Sequence, residues 1–125
     1  MKCRMPRGSA AVELALVLPL LLTLVLGALD WGYYFFVAQV VTNATREGAR
    51  AGSLHEDDAG ASGDASAAAA NYLQLNGLDP SKATITVTPT ADAVRVQIDY
   101  PAGSLTGLVG LVVPARAQGR AEMRR

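Results

Sequence analysis

The sequence is short of the side chains that most chemistry requires. It has one cysteine, Cys3, and one histidine, His55, in 125 residues. A lone cysteine excludes an internal disulfide and a thiolate metal cage. With one histidine beside it, most nucleophilic triads and zinc sites cannot be assembled. His55 is followed by Glu56, Asp57 and Asp58, but no second acidic cluster stands at ligand spacing, so this stretch reads as a solvated loop. Basic residues are also too few and too scattered to form a stripe for nucleic acid. Eleven basic side chains balance eleven acidic ones. These absences predict no enzyme activity, no cofactor, no metal and no small-molecule substrate.

What is present is apolar and unevenly placed. Half of the chain is hydrophobic, and residues 10 to 41 hold most of the large side chains. From Ala10 to Leu29 there are twenty residues in which Glu13, Pro19 and Thr23 are the main interruptions. About twenty helical residues cross a hydrocarbon core, which predicts a transmembrane segment at about 10–30. Asp30 then falls at the far edge as a solvated interfacial group. Trp31, Tyr33 and Tyr34 follow, as aromatic residues do at a membrane–water boundary. Lys2, Arg4 and Arg7 form a basic leader over residues 1–8 and predict a single-pass protein with a cytoplasmic N-terminus and an extracytoplasmic C-terminal domain. The run is long for a secretory signal, and Gly27-Ala28-Leu29 makes a poor signal cleavage site. Glu13 is the anomaly, because an ionisable group near lipid is costly enough to suggest a function.

Helical character continues past the membrane. "FFVAQVVTNATREGARAG" has no proline, and Ala44, Gly48 and Gly52 recur every four residues, a small-residue stripe that lets another backbone approach. One helix over 9–54 is expected, about 65–70 Å long and bent at Pro19. A polar, Gly-rich linker over 55–64 follows. Within 65–125, Ala65, Ala68, Ala69, Tyr72 and Leu73 mark one face of a second helix that stops at Gly77. The period then changes to two. Ile85 and Val87, then Val94, Val96, Ile98 and Tyr100, form a hairpin around residues 89–92. A third strand follows, with Ala115, Ala117, Gly119 and Ala121 as a small inner face pressed against a helix. The fold class is α+β: a long transmembrane helix packed by a short helix and a small antiparallel three-stranded sheet. This outer part buries little by itself and should lean on the long helix. The apolar run 104–113 is too short to span a membrane; it is either a buried loop or a surface patch for a partner or the membrane face.

A basic leader, a glycine, and a glutamate five residues later at the head of an apolar helix resemble the type IV prepilin pattern. More narrowly, "RGSAAVELALVLPLLLTLVLGALDWG" with "TNATREGARAG" resembles the TadE-like family, pilin-like proteins of tight-adherence (Flp) pilus assembly; the hairpin, "DYP" and "RAQGRAEMRR" extend the likeness. The resemblance implies a pilin-like fold and a pseudopilin or minor-pilin role in pilus assembly and surface adhesion. Its implied partners are the membrane, a prepilin peptidase and other pilin-like subunits. By position, the peptidase would cut between Gly8 and Ser9 at the cytoplasmic membrane, making Glu13 the fifth residue of the processed chain. Leu14 stands where such pilins often carry an aromatic residue.

Cleavage there would expose the Ser9 α-amino group one helical turn from Glu13. The carboxylate could then compensate its own amine or a neighbour's and set the register between packed helices. The competing reading is that Glu13 snorkels to the cytoplasmic interface of an uncleaved chain. That reading makes the protein a stationary membrane anchor whose outer domain binds an envelope partner.

Overall fold

The computed structural model describes residues 7–107 and 112–125. The order of elements is α1 (Arg7–Gly52), α2 (Asp58–Leu75), a short 3₁₀ turn at Pro80–Lys82, then β1 (Thr84–Pro89), β2 (Ala93–Pro101) and β3 (Arg116–Arg124). This is the α+β arrangement expected. The 46 residues of α1 run unbroken through Pro19, and at 1.5 Å per residue they measure about 70 Å. One turn after the proline, the Thr23 hydroxyl donates to the Pro19 carbonyl at 2.8 Å.

The two halves of α1 live in different surroundings. Every residue from Gly8 to Val25 is exposed, whereas Val37, Val41, Ala44, Thr45, Gly48, Ala49 and Gly52 are buried. Their three- and four-residue spacing puts them on one stripe of the helix. Against that stripe lie α2 and the sheet. The buried residues of α2 are Ala61, Ala65, Ala69 and Leu73, one every fourth residue. Small side chains on both helices bring the backbones close. A Cβ added at Gly48 would sit 2.8 Å from the Ala65 carbonyl oxygen, and one at Gly52 would sit 2.9 Å from that of Ala61.

The expected linker over 55–64 is shorter than the composition suggested, because α2 begins at Asp58. The Asp57 carboxylate accepts from the Gly60 amide at 2.7 Å, which satisfies an otherwise unpaired donor of the first turn. That hydrogen bond, before any other cause, holds the Asp57 carboxyl below its ordinary range. Gly60, Ser62 and Gly63 are therefore helical, although they read as loop residues. At the other end, the Gly77 and Leu78 amides donate back to the Gln74 and Leu73 carbonyls. Gly77 has φ +79°, as a helix-terminating glycine requires.

The sheet has the order β1-β2-β3, all antiparallel. Ile85 pairs with Ile98 and Val87 with Val96 across β1 and β2. Ile98 then pairs with Gly119, and Tyr100 with Ala117, across β2 and β3. The inner face therefore tapers from large residues on the central strand to small ones on β3. The taper has a cause: α1 lies on β2 and β3 while α2 lies on β1. A Cβ at Gly119 would come within 3.0 Å of the Val41 carbonyl of α1. The outer face is polar, with Arg95 and Glu122 paired at 2.7 Å.

Two alanine substitutions should separate close approach from helix propensity. Gly52→Ala forces a Cβ against Ala61 and Val94 and should cost about 1–3 kcal/mol. Gly63→Ala, where nothing lies within 4 Å, should stabilise by about 0.5–1 kcal/mol. Thermal unfolding of the full chain in detergent, followed by circular dichroism, reads both signs.

Candidate functional site

The first eighteen described residues after Arg7 have no protein neighbour to pack against. Val12, Leu14, Leu16, Leu20 and Leu24 are each more than 60 % exposed, and Val17, Leu18 and Leu21 about half. These positions cover every side of the cylinder. A helix that is apolar all round must be buried in a large core or in lipid, and here there is no core around it. The helix is long and apolar enough to cross a membrane once.

Gly8 and Ser9 lie in the first turn of α1, both exposed, with open space around Gly8. Glu13 stands one turn further along and is exposed; among the described residues it has no hydrogen-bond or ionic partner. The structure brings Ala44, Gly48 and Gly52 together on one face, and that face is filled by the chain's own α2 and sheet. Gly8, Ser9 and Glu13 thus occupy the bare end of the rod, while the small-residue stripe holds the α2–sheet domain to the covered end.

Asp30 corrects the sequence expectation. It is fully buried rather than solvated. Its carboxylate accepts from the Ser104 hydroxyl at 2.5 Å, the Thr106 amide at 3.0 Å and the Thr106 hydroxyl at 2.7 Å. Ser104 in turn accepts from the Gly107 amide at 2.7 Å. The start of the apolar run is therefore tied to α1 at the turn where the helix enters the outer domain. A buried carboxylate is tolerated only when its oxygens are saturated with donors, and the Ser-x-Thr segment supplies three. The two hydroxyls were the available signal, because Ser104 and Thr106 are the only polar side chains in residues 104–113.

The rest of that run is split. Leu105 is 65 % and Val112 64 % exposed, whereas Val113 is buried. Residues 108–111 lie outside the described residues, and so does Cys3. Beside Asp30, Trp31 packs edge-on against Tyr34 with ring centroids 6.0 Å apart, and against Phe35 at 5.6 Å. Tyr33 and Tyr34 are only partly free, because both also pack on the core. His55 is 2.6 Å from Asp64 at a surface position, and no group of three or more potential metal ligands occurs among the described residues.

Asp30→Ala removes the acceptor that holds the loop. Amide hydrogen exchange of the full chain in micelles should then speed up at Thr106 and Gly107 and stay unchanged in β2. Equal exchange in the loop would show that Asp30 does not hold it.

Comparison with known proteins agrees with this division of the chain. A protein-family model described as TadE-like protein matches residues 8–50, which is α1 almost end to end. No curated protein and no solved structure matches the chain. The match takes in Gly8, Ser9, Glu13, Asp30 and Gly48 and leaves the sheet outside it. Over its long helix, this chain is similar to the TadE-like family.

Proposed function

We propose that this protein is a minor pilin or pseudopilin of tight-adherence (Flp, type IVb) pili, acting by helix packing in the membrane or the fibre and not by catalysis. The TadE-like segment supports a role in the tight-adherence pilus system. The observation that carries the finer reading is the bare apolar half of α1, near whose end Glu13 has no partner among the described residues. Such a surface is satisfied equally by lipid and by the same surface on a neighbouring subunit. A subunit can therefore move from bilayer to bundle at little cost in apolar exposure.

In this reading a prepilin peptidase cuts between Gly8 and Ser9 on the cytoplasmic side of the inner membrane. Removal of Lys2, Arg4 and Arg7 leaves eight basic side chains against eleven acidic ones. The new Ser9 ammonium is the nearest positive charge for Glu13 on the same helix or on a packed neighbour. In a low-dielectric bundle a mismatched pair is strongly penalised, so the pair fixes the axial stagger between subunits. The outer domain projects from the membrane and contributes to the adhesive surface.

Two measurements test this. Intact mass of the protein extracted from native membranes should give a chain beginning at Ser9; a full-length chain would favour the uncleaved anchor whose outer domain binds an envelope partner. Glu13→Ala should leave the protein in the membrane at normal abundance and sharply reduce pilus assembly, scored by electron microscopy of the cell surface. Normal pili in that variant would reject the registry role.

A further inference from the structure

We infer that the outer domain sits on the bilayer through Leu105, with Asp30 as the latch that holds it at the membrane surface. The inference rests on reading α1 as a membrane span. It adds a second membrane contact made by the outer domain, independent of whether the chain is cleaved or assembled.

Four observations place this side chain at the lipid boundary. Asp30 is the first fully buried residue of α1 after the bare apolar stretch, so it marks where the span meets the domain. The segment Ser104–Gly107 is held to that carboxylate by three hydrogen bonds, which fixes its depth along the helix axis. Cover on α1 begins earlier still, at Leu26 and Gly27, while Val25, Ala28 and Leu29 remain exposed. Leu26 and Gly27 precede Asp30 by four and three residues and share its face, so cover on that side begins about one turn before the carboxylate. Finally, Leu105, between the two residues bonded to Asp30, is 65 % exposed.

The occupant that fits is the headgroup–acyl boundary of the bilayer. Apolar side chains exposed at the depth of an aromatic collar lie where the boundary is, and interfacial segments bury their apolar face about 5–10 Å into it. Asp30 explains why the loop stays there. Its carboxylate is kept from lipid by the Ser104 and Thr106 donors, and those three hydrogen bonds hold the start of the loop against α1.

The test uses the full chain with Cys3→Ser, reconstituted in phosphatidylcholine/phosphatidylglycerol vesicles. An environment-sensitive fluorophore is attached in turn through Leu105→Cys, Asp92→Cys in the distant hairpin turn, and Leu21→Cys in the span. Bilayer contact should blue-shift the label at 105, a shallow nitroxide lipid should quench it and leave 92 unaffected, and a deep nitroxide should quench 21. Asp30→Ala, or the pair Ser104→Ala with Thr106→Val, should abolish quenching at 105 and leave 21 as it was. An unquenched label at 105 beside a quenched one at 21 would overturn the seating while leaving the span intact, and would point to a protein occupant instead. Quenching at 105 that survives both latch variants would overturn the role of Asp30. An unquenched label at 21 would overturn the span, and the seating with it.

Discussion

The outer domain exists because two helix backbones meet almost without side chains between them. Gly48 and Gly52 on α1 face the carbonyls of Ala65 and Ala61 on α2 at distances that leave no room for a methyl group. Alanines contribute little transfer energy each, so this seam depends on closeness: many weak dispersion contacts at short range. Closeness also decides what the sheet must look like. With α1 and α2 side by side on one face, β3 runs directly beneath α1 and can carry only Ala117 and Gly119 inward. The central strand fills the wider space with Val96, Ile98 and Tyr100. One small-residue stripe thus sets the helix pairing, the residue sizes on the sheet and the position of α1 as the domain's spine.

The same helix performs two tasks with one geometry. Its C-terminal half is amphipathic and packed on the domain; its N-terminal half, apolar but for Ser9, Glu13 and Thr23, is exposed from Gly8 to Val25. The change occurs within about one turn, between Leu26 and Asp30, and it is marked by a carboxylate. A charge so close to hydrocarbon is costly unless its oxygens are fully engaged. Ser104 and Thr106 engage them, so the residue that ends the span also fastens the domain's base. The glutamate at the opposite end has no such arrangement. One acidic group is saturated with donors inside the chain, and the other is exposed.

Much of this was legible in the sequence where a local period carried it. Ile85, Val87, Val94, Val96 and Ile98 alternate because each strand has one inward face. The small inner residues of β3 announced a helix above them before any helix was placed there. The start of α2 was not legible from composition, because Gly60, Ser62 and Gly63 resemble a linker; Asp57 overrides them by capping the helix, and Ala61 by filling the seam. Asp30 was misjudged for a different reason. Its partners lie 74 and 76 residues away, and no periodicity connects a carboxylate at the end of one element to two hydroxyls in a loop. The bare half of α1 was plain from its composition, because nearly every side chain from Ala10 to Leu29 is apolar.

A rod without a joint also transmits motion. From Leu20 to Gly52 the helix contains no proline, and Val37 through Gly52 are clamped by the domain. Any lean of the lipid-embedded part is therefore carried rigidly outward. A tilt of about 20°, ordinary for single spans, would sweep the end of α1 sideways by about 11 Å. The orientation of whatever surface the domain presents is thus governed by local bilayer thickness, a variable that no residue in the domain itself encodes.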